Sequence, residues 1–145
     1  MKILYVITGL GQGGAERVVC DLADKMYEKG NDVKIAYLTG DILTKPRYQE
    51  IELIKINLNS LRLFPLAYIK LSKIIKNFEP DVVHSHMVHA NIFTRLVRIT
   101  TSIKKLICTA HNSDEGGRLR MLAYRFTHNI ADLTTNVSNE AVQAF

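Results

Sequence analysis

The sequence of 145 residues is poor in cysteine and proline, and it has no repeat, low-complexity stretch or glycine- and proline-rich linker. One domain is therefore expected. Its two cysteines, Cys20 and Cys108, lie within apolar runs and are expected to be buried thiols in a reducing compartment. The N-terminal apolar run Ile3–Ile7 is far shorter than the roughly 20 residues of a membrane-spanning helix. A cytoplasmic protein without a signal peptide is predicted.

Acidic residues are missing from two long stretches of the chain, although the net charge is only +5. No Asp or Glu lies between Glu52 and Glu79, or between Asp81 and Asp114, and both stretches carry several Lys and Arg residues. Such basic surfaces attract phosphates, anionic lipids or nucleic acids, or are simply solvated. Nucleic acid is disfavoured because no reader motif and no interleaved aromatic residues accompany the charges.

Short apolar runs alternate with longer amphipathic segments. The pattern predicts strands at Lys2–Thr8, Asp32–Leu38, Ile51–Ile56, Asp81–Ser85, Lys105–Ala110 and Leu133–Val137, and helices at Ala15–Lys29, Pro65–Phe78, Val88–Thr101 and Leu119–Asn129. This alternation indicates an α/β domain over residues 1–145, a Rossmann-like doubly wound fold with a mostly parallel sheet of about six strands. The carboxyl ends of the strands then share one edge, where such folds bind ligands.

Three of the predicted helices have an apolar face that is expected to pack on the sheet. In the first helix the face consists of Val18, Val19, Leu22, Ala23 and Met26. In the second it consists of Leu71, Ile74, Ile75 and Phe78, and in the third of Ile92, Phe93, Leu96, Val97 and Ile99.

A glycine-rich loop follows the first strand. It matches G-x-G-x-x-G at Gly9, Gly11 and Gly14, and it leads directly into a helix. Glycines let the backbone approach an anion, and a helix N-terminus offers free N–H groups to it, so a phosphate site is predicted. A nicotinamide enzyme would also need an acidic residue at the end of the second strand. That strand runs into Thr39, and Asp41 comes late, which counts against the dinucleotide interpretation.

Histidines follow the fourth and fifth strands. His84, His86 and His89 are close in sequence, but no acidic or cysteine partner for zinc is near, which favours core or cleft histidines over a metal site. His111, followed by Asn112, is placed to donate a hydrogen bond to a ligand or to take part in proton transfer. A capping loop is the alternative at this position.

Four segments, in order, resemble the retaining family-4 glycosyltransferases (glycosyltransferase group 1, subfamily 4-like), which have the two-domain GT-B fold. They are Thr8–Arg17, Pro80–His86, Thr109–His111 and Val137–Ser138, and together they extend over essentially the whole chain. The resemblance implies an enzyme that transfers a glycosyl group, of hexosyltransferase type, from a nucleotide sugar to a glycan or lipid-linked acceptor with retention of configuration.

The same resemblance implies that residues 1–145 are the N-terminal, acceptor-side domain of such an enzyme in polysaccharide biosynthesis. Gly13 and Gly14 would approach the donor diphosphate and sugar, and His111 would be catalytic, contacting the donor sugar near the reaction centre. Further positions at the acceptor or the cleft would be His86, Asn112 and Ser138. The nucleotide sugar is a substrate, and no metal or other cofactor is expected. Ser138 is alternatively a helix N-cap.

The family's second domain, which binds the nucleotide sugar, carries a basic pair and a Glu-x7-Glu segment that do not occur before Phe145. We therefore expect that domain to lie outside this chain and the isolated chain to lack normal transferase activity. Two alternatives stay open. One is an NAD-dependent oxidoreductase domain, and the other is a non-catalytic module that docks a partner chain supplying the donor site.

The predicted helix Pro65–Phe78 also carries regularly spaced lysines beside apolar residues. Lys70, Lys73 and Lys76 recur every three residues, and Leu61, Leu63 and Phe64 lie just before the helix. This pattern resembles the edge of a protein that binds peripherally to an anionic membrane, here the inner face of the cytoplasmic membrane. An ordinary amphipathic core helix is the alternative.

Overall fold

A computed structural model of the chain describes residues 1–111 and 117–136. Within these residues six strands form one parallel sheet, and four α-helices pack on its faces. In chain order the elements are β1 (Lys2–Gly9), α1 (Gly14–Glu28), β2 (Asp32–Thr39), β3 (Glu52–Lys55), α2 (Phe64–Phe78), β4 (Val82–His86), α3 (Val88–Thr100), β5 (Leu106–Ala110), α4 (Gly117–Thr127) and β6 (Leu133–Asn136). Every strand and helix predicted up to Asn136 is confirmed, with ends that differ by one or two residues.

The strand order is β3-β2-β1-β4-β5-β6, so the chain turns back at β1 and then continues on the other side of it. This confirms the doubly wound, Rossmann-like prediction. The reversal opens a crevice between the carboxyl ends of β1 and β4, which pair in parallel up to Ile7 and His86. The glycine loop and the turn after His86 therefore lie side by side at the edge of the sheet.

Alternate residues of β1 point into two different apolar layers. On one face the core packs against α1, and its members include Ile3, Tyr5, Ile7, Val19, Cys20 and Ala23. On the other face it packs against α2 and α3, and its members include Leu4, Val6, Leu71, Ile75, Phe93 and Val97. Both cysteines are buried free thiols, as predicted. This alternation is why β1 reads as a continuous apolar run in the sequence.

The predicted helix faces are mostly right, with two errors at their margins. In α2, Leu71, Ile75 and Phe78 are buried and Ile74 packs against the core, as expected. The assignments of Val18 and Ile99 to the buried faces of α1 and α3 are wrong, because 39% and 66% of these residues are exposed. In α3 polar residues take up much of the buried face instead, namely Asn91, Thr94 and Arg95.

Arg95, at 0% exposure, joins α3 to the C-terminal part of the described chain. Its Nη1 donates to the carbonyl oxygen of Tyr124 at 3.0 Å and to Oγ1 of Thr127 at 3.2 Å, and its guanidinium lies 4.0 Å from the centre of the Tyr124 ring. Its Nη2 donates to Oγ1 of Thr134 at 3.4 Å. One charged side chain thus holds both α4 and β6 against α3.

Arg98 makes a second connection one helical turn later. It donates to the carbonyl oxygen of Ile130 at 2.9 Å and pairs with the Asp132 carboxylate at 2.9 Å. The same carboxylate accepts the backbone N–H of Leu106 at 2.8 Å. The backbone N–H and then the guanidinium lower the pKa of Asp132 below its ordinary value. The start of β6 is therefore tied to both α3 and β5 by polar contacts.

Candidate functional site

The glycine loop crosses the carboxyl end of β1 and ends at the N-terminus of α1. Gly13 is the residue that precedes the helix, its backbone is extended (φ −107°, ψ 173°), and no side chain caps the helix there. Gly13 and Gly14 are both exposed. A Cβ added at Gly14 would meet nothing within 4 Å, so the space over this residue is open to a ligand. The free N–H groups of the first helical turn face that space.

The segment from residue 41 to residue 50 fixes the glycine loop from the side. Oγ1 of the buried Thr44 donates to the carbonyl oxygen of Gly11 at 2.6 Å. The backbone N–H groups of Leu43 and Thr44 both donate to the carbonyl oxygen of Leu10, at 2.7 and 2.9 Å. The 41–50 segment is itself anchored on α1, because the Asp24 carboxylate accepts the backbone N–H of Arg47 at 2.9 Å. Sequence reasoning missed Thr44, since a contact between residues so far apart leaves no local pattern.

The Glu16 side chain folds back over the glycine loop. A Cβ at Gly13 would lie 2.5 Å from Oε1 of Glu16, and one at Gly11 would lie 3.3 Å from Oε2. A side chain at Gly13 would therefore displace the flexible end of Glu16, whereas one at Gly11 would require it to shift by only a few tenths of an ångström. A carboxylate in the first helical turn is favourably placed relative to the helix dipole. Glu16 was not among the predicted site residues, although its position in the first turn of the helix was a usable signal.

Four rings cluster at the ends of β1, β4 and β5. Nδ1 of His86 lies 3.0 Å from Nε2 of His111, within hydrogen-bond distance. The rings of His84 and His86 have centroids 4.1 Å apart on one face of β4, and the Tyr5 ring lies against both. Nε2 of His84 is 2.8 Å from Oγ1 of Thr109.

Burial determines the charge of this cluster. It lowers the pKa of His84 to about 4, and the nearby His111 adds to the effect. Burial likewise lowers the pKa of His86 to about 2, with smaller contributions from its two histidine neighbours, and raises the pKa of Tyr5 to about 12. His84, His86 and Tyr5 are therefore neutral at pH 7. Across residues 1–111 and 117–136, no group of three or more His, Cys, Asp or Glu side chains is arranged to hold a metal ion.

Met87 forms the turn between the cluster and α3. Its backbone has φ 77° and ψ 152°, a conformation that L-residues rarely adopt. Its N–H donates to the carbonyl oxygen of Thr109 at 3.1 Å, and its carbonyl oxygen accepts the N–H of Asn91 at 2.9 Å. These bonds hold the strained turn, and the Met87 side chain lines the space beside the glycine loop.

A cleft of about 570 Å³ unites the two edges of the crevice. Its lining residues are Gly13, Gly14, Ala15, Glu16, Val18, Met87 and His111. The structure therefore brings together three predicted site residues, Gly13, Gly14 and His111. His86 is only 1% exposed and lies behind His111 rather than on the cleft surface. The predicted residues Asn112 and Ser138 lie outside the described residues.

The chemistry of the cleft follows from its two walls. One wall offers backbone N–H groups and the positive end of a helix dipole, which favour an anion such as a diphosphate. The opposite wall offers an imidazole that is hydrogen-bonded from behind. Such a pair of walls suits a ligand that carries an anionic group on one side and a polar group on the other.

The family model of Glycosyltransferase Family 4 matches residues 12–145, nearly the whole chain. No protein with a curated description matches the chain. The match begins inside the glycine loop and includes β4, β5 and their histidines.

Solved structures share the fold at low sequence identity. The lipopolysaccharide outer core galactosyltransferase WaaB, in its apo form, superposes with a TM-score of 0.76 at 18% identity over 99% of this chain and 41% of WaaB. Alr3699/HepE from Anabaena, solved in complex with UDP, gives 0.70 at 17% identity over 99% of this chain and 40% of its own. A UDP-N-acetylglucosamine 2-epimerase from Rickettsia bellii gives 0.68 at 11% identity, over 99% and 40%. This chain thus spans about 40% of the length of the structures it resembles.

Proposed function

Because this chain belongs to glycosyltransferase family 4, we propose that it is the acceptor-side domain of an enzyme that transfers a hexosyl group from a nucleotide sugar to a saccharide or lipid-linked acceptor, with retention of configuration. The observation that carries the proposal is the cleft between Gly13, Gly14 and His111. In this cleft a helix N-terminus, which favours an anion, lies opposite an imidazole, and this arrangement suits a sugar diphosphate. WaaB, a galactosyltransferase by name, shares the fold.

In the proposed reaction the acceptor hydroxyl attacks the anomeric carbon on the face from which the nucleoside diphosphate departs. The bond from that carbon to the diphosphate oxygen breaks, and the departing phosphate takes the acceptor proton. On this route the protein positions the two substrates and stabilises developing charge, and no metal or other cofactor is required. The first turn of α1 faces the growing negative charge on the diphosphate, and His111 orients the transferred sugar.

We further propose that this chain alone has no normal transferase activity. The structures it resembles are about two and a half times as long, since it spans 40–41% of WaaB and Alr3699/HepE. In this proposal the remaining length supplies the donor-binding domain of a GT-B enzyme. Appreciable turnover of a nucleotide sugar by residues 1–145 alone would contradict it.

The proposal is tested in a polypeptide that contains both this domain and the donor domain. Gly14→Val puts a side chain into the open space over the loop, where its Cβ meets no atom within 4 Å, so we expect a normal fold and at least a tenfold loss of activity. His111→Ala is expected to lower kcat about 100-fold, as for the loss of one well-placed hydrogen-bond donor. Gln12→Ala, an exposed position in the same loop that does not line the cleft, is the matched control. Unchanged activity in both Gly14→Val and His111→Ala would refute the site.

The dinucleotide alternative requires an acidic residue at the end of β2. Thr39 ends that strand, Gly40 follows with φ 85°, and Asp41 is exposed beyond it. A ribose-binding carboxylate is expected at the strand end itself. Titration of the chain with NAD(H) is expected to show no saturable binding, and a micromolar dissociation constant would favour the oxidoreductase domain.

For the partner-docking alternative, the reading frame beyond Phe145 decides, because a continuing frame with Glu-x7-Glu removes the need for a second chain.

Peripheral contact with an anionic membrane is proposed for the start of α2 and the 3₁₀ turn before it. Leu61, Leu66 and Ile69 are 88%, 66% and 51% exposed, and Arg62, Lys70, Lys73 and Lys76 are exposed beside them. Phe64 by contrast packs edge-on against Phe93, with ring centroids 5.6 Å apart. The helix therefore has a core face and also a separate basic, apolar outer face. In the part of the chain described, no helix is long and apolar enough to cross a bilayer.

Liposome pelleting tests this surface. Vesicles with anionic lipid at low salt are expected to pellet the protein, and Lys70→Gln with Lys73→Gln to release it. Lys25→Gln with Lys29→Gln removes the same charge from exposed positions of α1 and its end, and is expected to leave pelleting unchanged. No pelleting of the unmodified protein, or equal loss in both variants, would reject the membrane surface.

A further inference from the structure

The contact between His86 and His111 is asymmetric. Nδ1 of His86 is 3.0 Å from Nε2 of His111, while Nε2 of His86 has no hydrogen-bond partner among residues 1–111 and 117–136. His86 is 1% exposed, whereas His111 is half-buried and lines the cleft. One hydrogen bond therefore joins the buried ring of His86 to the ring of His111, which lines the cleft.

Only two arrangements of protons satisfy this contact when both rings are neutral. In the first, Nδ1–H of His86 donates to Nε2 of His111, and the unpartnered nitrogen of His86 carries a lone pair. In the second, Nε2–H of His111 donates to Nδ1 of His86, and the unpartnered nitrogen of His86 carries a buried N–H. Orphaned buried N–H groups are rarer in proteins than under-satisfied acceptors, and so the first arrangement is favoured.

From this geometry we propose that His86 is a positioning residue that holds His111 neutral, as the tautomer with its proton on Nδ1. The bond orients the His111 ring from behind and occupies its Nε2 lone pair. A proton added to that nitrogen would set two N–H groups against each other. The catalytic consequence rests on the proposed function, since only there does the His111 ring contact the donor sugar.

The surroundings of His86 add no charge that would reverse this preference. Tyr5 faces it from β1 and His84 from its own strand, and both are neutral at pH 7 because burial lowers the pKa of His84 to about 4 and raises that of Tyr5 to about 12. Oγ1 of Thr109, on β5, is bonded to His84 rather than to His86. From α1, the Glu16 carboxylate lines the same cleft as His111 and favours its protonated form, so the hydrogen bond from His86 acts against this charge.

Nitrogen-15 NMR of the histidine rings tests the tautomer on this chain without any catalysis. The His111 signals, assigned with His111→Gln, are expected to show Nδ1 protonated and Nε2 unprotonated from pH 8 down to about 6, below the ordinary histidine value of about 6.5. In His86→Leu the ring is expected to shift toward the Nε2–H form and to titrate near that ordinary value. A proton on Nε2 in the unmodified chain, or an unchanged tautomer and titration in His86→Leu, would overturn the proposal.

Kinetics in the polypeptide with both domains separate positioning from mere structural support. His86→Leu is expected to lower kcat about tenfold with little change in KM, the effect of one lost hydrogen bond. Activity should also acquire an acid limb, falling below pH about 6.5 as His111 becomes protonated. His86→Asn, whose amide nitrogen can donate from near the position of Nδ1, should restore part of kcat and remove the acid limb.

His84→Leu is the matched control, because it removes a neighbouring buried ring that bonds Thr109 and not His111. It is expected to keep the pH profile of the unmodified enzyme. The positioning role is refuted if His86→Leu keeps that profile too, or if His84→Leu and His86→Leu change it equally. If instead the unmodified enzyme transfers no sugar at all, the proposed function fails while the NMR result still decides the tautomer.

Discussion

The two halves of the sheet are built from different chemistry. The half formed by β1, β2 and β3 is packed against α1 by aliphatic and aromatic side chains, with Val19, Cys20 and Ala23 as its buried helical face. In the half formed by β4, β5 and β6, buried polar groups carry much of the packing, and Ser85, His86, Asn91, Thr94, Arg95 and Thr109 are all at most 6% exposed.

The boundary between these halves is the crevice that holds the cleft. In the apolar half, a rigid hydrophobic layer supports the glycine loop. The glycine loop itself contributes only backbone groups to the cleft. The polar half supports His111 and binds its own last elements through hydrogen bonds that require particular donors and acceptors. Apolar packing tolerates exchange among similar side chains, whereas a buried polar network depends on each member.

Acid is expected to have the largest effect on this comparison, because the two buried histidines whose pKa values are lowered both lie on β4, in the polar half. Lowered folded-state pKa values of about 4 for His84 and about 2 for His86 mean that the unfolded chain, with values near 6.5, binds more protons below that pH. The stabilisation that depends on neutral His84 and His86 is fully present above pH about 6.5 and is lost as the pH decreases. We expect a loss of roughly 4 kcal/mol between pH 7 and 4.5.

Urea unfolding at a series of pH values measures this slope. His86→Leu should remove about half of it, since one of the two neutral buried histidines is then absent. His128→Leu, at an exposed position, is the control and should leave the slope unchanged. A flat stability profile between pH 7 and 4.5 would contradict the burial of both rings in neutral form.

Replacement of Arg95 is expected to have the next largest effect on the free energy of unfolding. Arg95→Ala removes one of the donors to the Tyr124 carbonyl, which keeps the Thr127 hydroxyl, and the Arg95 donors to two threonine hydroxyls. It also opens a cavity, so we expect a loss of about 3 kcal/mol in the free energy of unfolding. Val19→Ala, its counterpart in the apolar half, should cost about 2 kcal/mol. Arg95→Met distinguishes the two modes of packing. If it is as stable as the unmodified chain, shape rather than hydrogen bonding holds α4 and β6.

A smaller effect is expected at the edge of the apolar half. Thr44→Val keeps the shape of the side chain and removes only the bond to the Gly11 carbonyl, at a cost of about 1 kcal/mol in stability. In the proposed two-domain enzyme it should raise KM for the nucleotide sugar, because the glycine loop loses one restraint. Thr44→Ser should restore both. An unchanged KM would show that the backbone bonds to Leu10 suffice to fix the loop.

The smallest effect concerns Asp132. Its pKa is lowered in the folded state, chiefly by the Leu106 N–H and then by Arg98, so the stabilisation is present above the unfolded value of about 3.9 and is lost as pH falls through the folded value. Because this side chain is 43% exposed, Asp132→Asn should cost less than about 1 kcal/mol at pH 7. The cost should vanish near pH 2. An equal difference at both pH values would mean that the amide disrupts β6 sterically.

Sequence patterns predicted the strands and helices because the two sheet faces impose regular apolar spacing on local segments. They failed where the environment is set by distant residues. Val18 lines the cleft and Ile99 faces solvent, although both have apolar helical spacing. Arg95 looked like a surface charge, and only the positions of α4 and β6 make it a buried donor. Of the site, Gly13, Gly14 and His111 were predicted from strand ends and resemblance, whereas Thr44 and Glu16 needed three-dimensional contacts.

The attachment of the 41–50 segment to the glycine loop has a consequence for protein engineering. Exchanging a surface loop is one way to alter the acceptor of the proposed enzyme, and the exposed Lys45, Gln49 and Glu50 are natural graft points. Leu43 and Thr44 are not, because their three hydrogen bonds end on the loop proposed to hold the donor. In the proposed enzyme, a graft that keeps this dipeptide and its distance from Gly40 should change the acceptor while preserving the geometry of the donor, whereas one that shifts it by a residue would alter both.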